Sequence, residues 1–98
     1  MVHTIVRHKV ADYGKWKQVF DSFLNHRLAG GETGSRVFQS VDDPREVTVI
    51  TDWENAEHAR RFMASEDVRT AMKSAGVLGD PDVSFVQDAV LVRRSAAD

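Results

Sequence analysis

Few side chains in this 98-residue chain combine reactive chemistry with a place in a regular element. His8 stands in the run Val6-Arg7-His8-Lys9-Val10, on the same parity as Val6 and Val10. A neutral imidazole there can take a proton near pH 7. The alternative is a half-buried histidine bonded to backbone or a polar neighbour. Arg27 follows His26 near the end of a helical pattern. Its guanidinium can hold a carboxylate or enolate with two parallel N–H bonds. It can equally well complement the negative end of the helix dipole, as can His26. His8 and Arg27 are therefore the candidate catalytic residues. Tyr13, Arg36 and Trp53 are the candidate ligand-binding residues. Tyr13 and Trp53 can stack on a flat ligand, or can lie in the core with their polar atoms satisfied. Arg36 can hold an anion, or join a cross-strand ion pair beside Phe38. Trp16, Phe20 and Phe23 recur at helical spacing and read as core. Glu57 and His58 open a helix and read as exposed.

Other chemistries have no basis in the residues. There are no cysteines, hence no disulfide, no thiolate nucleophile and no thiolate metal site. No two histidines stand three or four residues apart, so no helical metal pair is present. Gly30-Gly31 and Gly34 lie between a helix and a strand, the wrong order for a phosphate loop. No Ser/His/Asp constellation stands out. Neither a metal nor a cofactor is expected. The net charge of -2, with only Arg60-Arg61 and Arg93-Arg94 as adjacent arginines, argues against nucleic acid. No apolar run is long enough to cross a membrane. The opening residues carry Arg7 and Lys9 and lack the layout of a signal peptide. With the absence of cysteine, this predicts a cytoplasmic protein.

These candidates must be positioned by short elements. Residues 2–10 alternate as a strand, with Val2, Thr4, Val6, His8 and Val10 on one face. Asp12 is a helix N-cap candidate. Residues 13–28 carry a broad apolar stripe at helical spacing, closed by Ala29-Gly30-Gly31. Residues 33–41 form a second strand, and Asp42-Asp43-Pro44-Arg45 a turn. Residues 46–54 form a third strand, whose near-continuous apolar run at 47–50 predicts burial on both faces. Asn55 caps the next helical pattern, which Ser65-Glu66-Asp67 interrupts and Gly76 ends. Gly79-Asp80-Pro81 reads as a loop, residues 83–92 as the last strand, and residues 95–98 as a frayed tail.

The order β-α-β-β-α-β predicts an α+β, ferredoxin-like domain over residues 1–94, with a four-stranded antiparallel sheet. Two helices cover one face of such a sheet only. The other face still carries apolar residues, and an identical sheet would bury it in a twofold homodimer.

The chain also resembles a known group. Val6-Arg7-His8-Lys9-Val10, Asp12-Tyr13, Trp16, Gly34 with Arg36-Val37-Phe38, Asp42-Asp43-Pro44, Trp53-Glu54, Ala59 to Phe62 and the stretch Met72 to Pro81 resemble small bacterial proteins of the dimeric α/β-barrel superfamily. Such proteins are described as antibiotic-biosynthesis-monooxygenase-like or cyclase-like. The resemblance implies a cavity between sheet and helices and a C-terminal strand that reaches a partner subunit. The superfamily spans cofactor-independent monooxygenases, polyketide cyclases, haem-degrading enzymes and stress proteins. The haem-degrading pattern pairs a tryptophan late in the third strand with a histidine ten residues on and an asparagine in the first strand. Trp53 matches, but Met63 stands at the histidine position, the histidine is at His58, and the first strand has no asparagine. The oxygenase pattern of asparagine, tryptophan and arginine lacks the same asparagine.

Two functions are consistent with these residues. One is a cofactor-independent monooxygenase or cyclase-like enzyme acting on an aromatic or enolisable small molecule. The other is a non-catalytic ligand-binding or structural homodimer.

Overall fold

The computed structural model describes residues 1–90. The alternating N-terminal pattern becomes β1 (Val2–Val10). The Asp12 carboxylate accepts from the backbone N–H of Lys15 at 3.1 Å and starts α1 (Tyr13–Ser22). After α2 (Leu24–Ala29) come β2 (Glu32–Gln39) and β3 (Glu46–Trp53), joined by the aspartate-proline turn. Asn55 caps α3 (Ala56–Met63) by accepting from the N–H of His58 at 2.9 Å. Ser65 caps α4 (Glu66–Ser74) by accepting from the N–H of Val68 at 3.2 Å. The chain then enters β4 (Val77–Gln87).

The strands form one antiparallel sheet in the order β2-β3-β1-β4. This is the α+β, ferredoxin-like arrangement read from the sequence. The two hairpin-linked strands and the two central strands pair as that topology requires. Val6 stands opposite Val49 on β3 and Val83 on β4. That register gathers Thr4, Val6, His8, Val10, Val47, Val49, Thr51 and Trp53 on the face beneath the helices, where all are buried. The core centres on Val10, Trp16, Val47, Val49 and Ala75.

Four local expectations need correction. Residues 13–28 are not one helix: the chain bends at Phe23, whose ψ of 3° leaves helical geometry. The apolar spacing runs through the bend unchanged, because both segments turn their apolar residues to the same sheet. The second strand begins at Glu32 and ends at Gln39, one and two residues earlier than the pattern suggests. Burial of residues 47–50 is one-sided: Val47 and Val49 are buried, while Thr48 and Ile50 are half-exposed. Finally, Gly79-Asp80-Pro81 lies inside β4 rather than in a loop. The strand bulges there, where its register against β1 shifts between Arg7 and Lys9. Gly79 takes φ +69°, which an L side chain rarely adopts, so the bulge needs glycine. The expected end of the last strand at residue 92 and the tail at 95–98 lie outside the described residues.

Candidate functional site

β1 carries His8 into the space between the sheet and the helices, as its parity with Val6 and Val10 implies. The residue is 7% exposed, and its ring lies 5.5 Å from that of Trp16. Trp16 is itself stacked between Tyr13 and Phe20 at one-turn spacings along α1, at 5.8 Å and 5.1 Å. Neither ring nitrogen of His8 has a hydrogen-bond partner among the described residues. Burial alone pushes its pKa down from 6.5. The imidazole is therefore neutral at pH 7, with one nitrogen able to accept a proton and the other able to donate one.

His8 faces a cavity of about 90 Å³. Its walls are almost wholly apolar: Val6 and Val49 on the sheet side, Phe20 and Phe23 from the first helical pair, Met63 and Met72 from the second. The polar exceptions are His8, Arg27 and the Thr4–Thr51 pair. The two threonine hydroxyls are hydrogen-bonded to each other across β1 and β3, and Thr51 also accepts from the Trp53 indole, so both oxygens are engaged. In an apolar cavity an unpartnered imidazole is the strongest site for a ligand's O–H or oxygen.

Arg27 also lines the cavity, but its fork is already engaged. Nη1 donates to Glu32 at 2.7 Å and to Ser35 at 3.3 Å; Nη2 donates to the Phe20 carbonyl at 3.1 Å. Its guanidinium lies 3.9 Å above the Phe20 ring. The expected two-pronged clamp on a ligand is thus closed by Glu32; the Nε–H and the second Nη2–H are without a partner among the described residues. Burial raises the Glu32 pKa from 4.5, with Arg27 offsetting part of the rise. Glu32 Oε1 is likewise buried without a partner among the described residues.

The other candidates separate. Trp53 is fully buried and lies under Phe62, ring to ring at 5.2 Å. Its indole N–H donates to Thr51 at 2.9 Å. It supports the cavity from behind and does not line it. Phe62 can approach this closely because Gly30 has no Cβ: one added there would meet the Phe62 ring at 2.7 Å. Tyr13 packs at the core's edge on Trp16, away from the cavity lining. Arg36 pairs across from Ile50 on the opposite sheet face, exposed, with its guanidinium 6.0 Å from the Phe38 ring. It cannot share a site with His8 in one subunit. His26 instead bridges α2 and α4 through Asp67 at 3.3 Å.

Two contributors carry no signal in the sequence that singles them out. Glu32 has no pattern beyond standing five residues after Arg27. The Thr4–Thr51 pair is hidden because it depends on the β1–β3 register.

The comparisons bear on the family and the fold. A model of the antibiotic biosynthesis monooxygenase family matches residues 15–74. No curated protein matches the chain. SnoaB, a cofactor-independent oxygenase from Streptomyces nogalater, superposes with a TM-score of 0.77 at 13% identity, over 95% of this chain and 97% of that one. A Bordetella bronchiseptica protein assigned as an antibiotic biosynthesis monooxygenase gives 0.78 at 18% identity, over 91% and 97%. A conserved protein from Methanosarcina mazei gives 0.71 at 12% identity, over 90% and 92%. At these identities the solved structures speak for the fold alone; the family match spans all but the first two residues of α1, the other helices and β2 and β3, while β1, which carries His8, and β4 lie outside it. The chain belongs to the antibiotic biosynthesis monooxygenase family.

Proposed function

We propose that this protein is a cofactor-independent enzyme, monooxygenase-like or cyclase-like, acting on a small aromatic or enolisable molecule bound against His8. The single observation that carries the reading is an unpartnered, neutral imidazole in an apolar cavity. A phenol, enol or acidic C–H placed there gives its proton to the free nitrogen of His8. The resulting imidazolium and substrate anion form a pair inside low-dielectric walls. The Arg27 Nε–H and second Nη2–H are further donors for the anion. In the oxygenase form, the electron-rich anion reacts with dioxygen as co-substrate: a CH₂ group and O₂ become C=O and H₂O. The electrons come from the substrate, so the reaction as written balances without a cofactor.

The active unit is proposed to be a homodimer. The sheet face away from the helices carries Ile5, Phe38, Ile50, Leu78 and Val86, with Phe38 46% and Leu78 48% exposed. A second sheet laid on this face removes that apolar surface from water.

One observation favours the competing reading, a non-catalytic ligand-binding or structural dimer. Arg27 is engaged by Glu32, Ser35 and Phe20, and the bond to Glu32 neutralises its charge before any ligand arrives. The test is consumption of phenols, anthrones and β-dicarbonyl compounds in aerobic buffer, with oxygen uptake followed in parallel. The enzyme reading expects turnover that falls by about a hundredfold or more in His8→Phe, the scale of a lost general base. Tight binding without consumption of any compound supports the competing reading.

A further inference from the structure

Two hollows in this molecule share three lining residues. The inner one is the His8 cavity of about 90 Å³. The outer one is a groove of about 630 Å³ between α4 and β4, floored by Val77, Val83 and Phe85. Met63, Val68 and Met72 line both. Both methionines are half-buried. Methionine is unbranched and changes rotamer readily to fill or open irregular space. Val68, buried and stiff at χ1, stays fixed, while rotation of the two methionines opens the rest of the partition.

The inner cavity is too small to hold a whole drug-sized molecule. Ligand sites run from about 300 to 1,000 Å³, and a dry cavity of about 150 Å³ accommodates one benzene ring. At about 90 Å³ the cavity admits even a single ring only if a wall side chain moves, and a larger compound that reaches His8 must also extend into the groove, which lies behind the methionines. The groove is also cationic. Arg60, Arg69 and Lys73 line it against Asp80. Arg60 lies over the Phe85 ring at 4.7 Å, which holds its guanidinium beside the apolar floor. Arg69 meets Glu66 at 3.7 Å through two exposed side chains, a weak pair that an incoming anion can displace. Among the described residues, Arg60 and Lys73 form no ion pair.

We propose that the groove is the outer half of the same site, and that the ligand is an aromatic or enolisable compound bearing a carboxylate on a short arm. Its ring displaces Met63 and Met72 to face His8, and its carboxylate is held by Arg60, Arg69 and Lys73. This rests on the reading of the inner cavity as a small-molecule site, and it adds a charge requirement which that reading does not contain.

The test is calorimetric titration of the full chain with three probes: para-hydroxyphenylpropanoate, its methyl ester, and phenol. The proposal expects the acid to bind about tenfold tighter than the ester, the scale of one charge-assisted hydrogen bond. The triple variant Arg60→Gln, Arg69→Gln, Lys73→Gln should erase that difference while still binding the ester, which shows that the fold is intact. Added salt should weaken the acid alone. Equal affinities for acid and ester in the unaltered protein, with phenol binding still sensitive to His8→Phe, overturn the groove proposal and leave the inner site standing. Acid that binds without competing with phenol reduces the groove to a separate anion surface and also overturns it. Absence of phenol binding removes the inner site, and this proposal with it.

Discussion

Arg27 donates to Glu32 at 2.7 Å with 6% and 2% of the two side chains exposed, so an ion pair lies inside the domain beside the cavity. A pair of this kind is costly to break and cheap to replace. Removing one charge leaves the other buried and alone. Glu32→Gln should therefore destabilise the protein by about 3 kcal/mol. The double replacement Arg27→Met, Glu32→Leu should lose clearly less than the two single replacements added together. Denaturant unfolding of the four proteins measures this. Strict additivity would show that the pair is not coupled.

His8 makes stability depend on pH in one direction. Its folded pKa lies below 6.5, so the unfolded chain binds the proton first as pH falls. Stability is full above about pH 6.5 and drops as pH descends through the lowered folded value. His8→Phe should flatten this acid-side fall. Thermal melts between about pH 5 and about pH 8 follow it, and an unchanged slope in the variant would place the titration elsewhere.

His3 works in the opposite direction. On the open sheet face its two ring nitrogens meet Asp52 of β3 at 2.6 Å and Asp88 beyond β4 at 2.7 Å. The N-terminal amine also faces Asp88, at 3.7 Å. The Asp88 and Asp52 hydrogen bonds raise the His3 pKa above 6.5. The clamp across β3, β1 and β4 is thus fully formed below about pH 6.5 and is lost as pH rises through the raised value. His3→Gln should reduce stability at about pH 6 and change it little at about pH 9. A uniform loss at both pH values would mean that packing, not charge, is what His3 supplies.

The same sheet face gives a prediction about assembly. Ile50 lies mid-sheet on β3, between Ile5 of β1 and Arg36 of β2. If this face forms the proposed homodimer, the protein should be a dimer at micromolar concentration and Ile50→Lys should shift it to monomer, because the change places a charge at the centre of the proposed contact. Light scattering reads the mass directly. A dimer unaffected by this change uses some other surface.

The strands are readable in the sequence because burial on one face imposes a period of two. That period alone puts His8 on the face of Val6 and Val10, which is the face the helices cover. It does not place Arg36, since the face a strand presents depends on its register against a neighbour. The β2–β3 irregularity between Glu32 and Gly34 resets that register. The bend at Phe23 is invisible for a related reason: the apolar stripe records which side faces the sheet, not whether the axis stays straight. Gly79-Asp80-Pro81 has the composition of a turn, and a bulged edge strand uses the same residues for the same backbone need. The engagement of Arg27 is not legible at all, because Glu32 approaches it only through the fold.

His8 as a neutral base open to a ligand is the centre of the functional reading. Histidine side-chain nitrogen NMR of the full chain, with and without saturating phenol, tests it most directly. His8 is expected to stay neutral at pH 7, to show one protonated and one free nitrogen, and to shift strongly when phenol is added, while His3 and His26 do not move. A His8 signal that is already protonated at pH 7, or that ignores phenol while phenol binds, would contradict it.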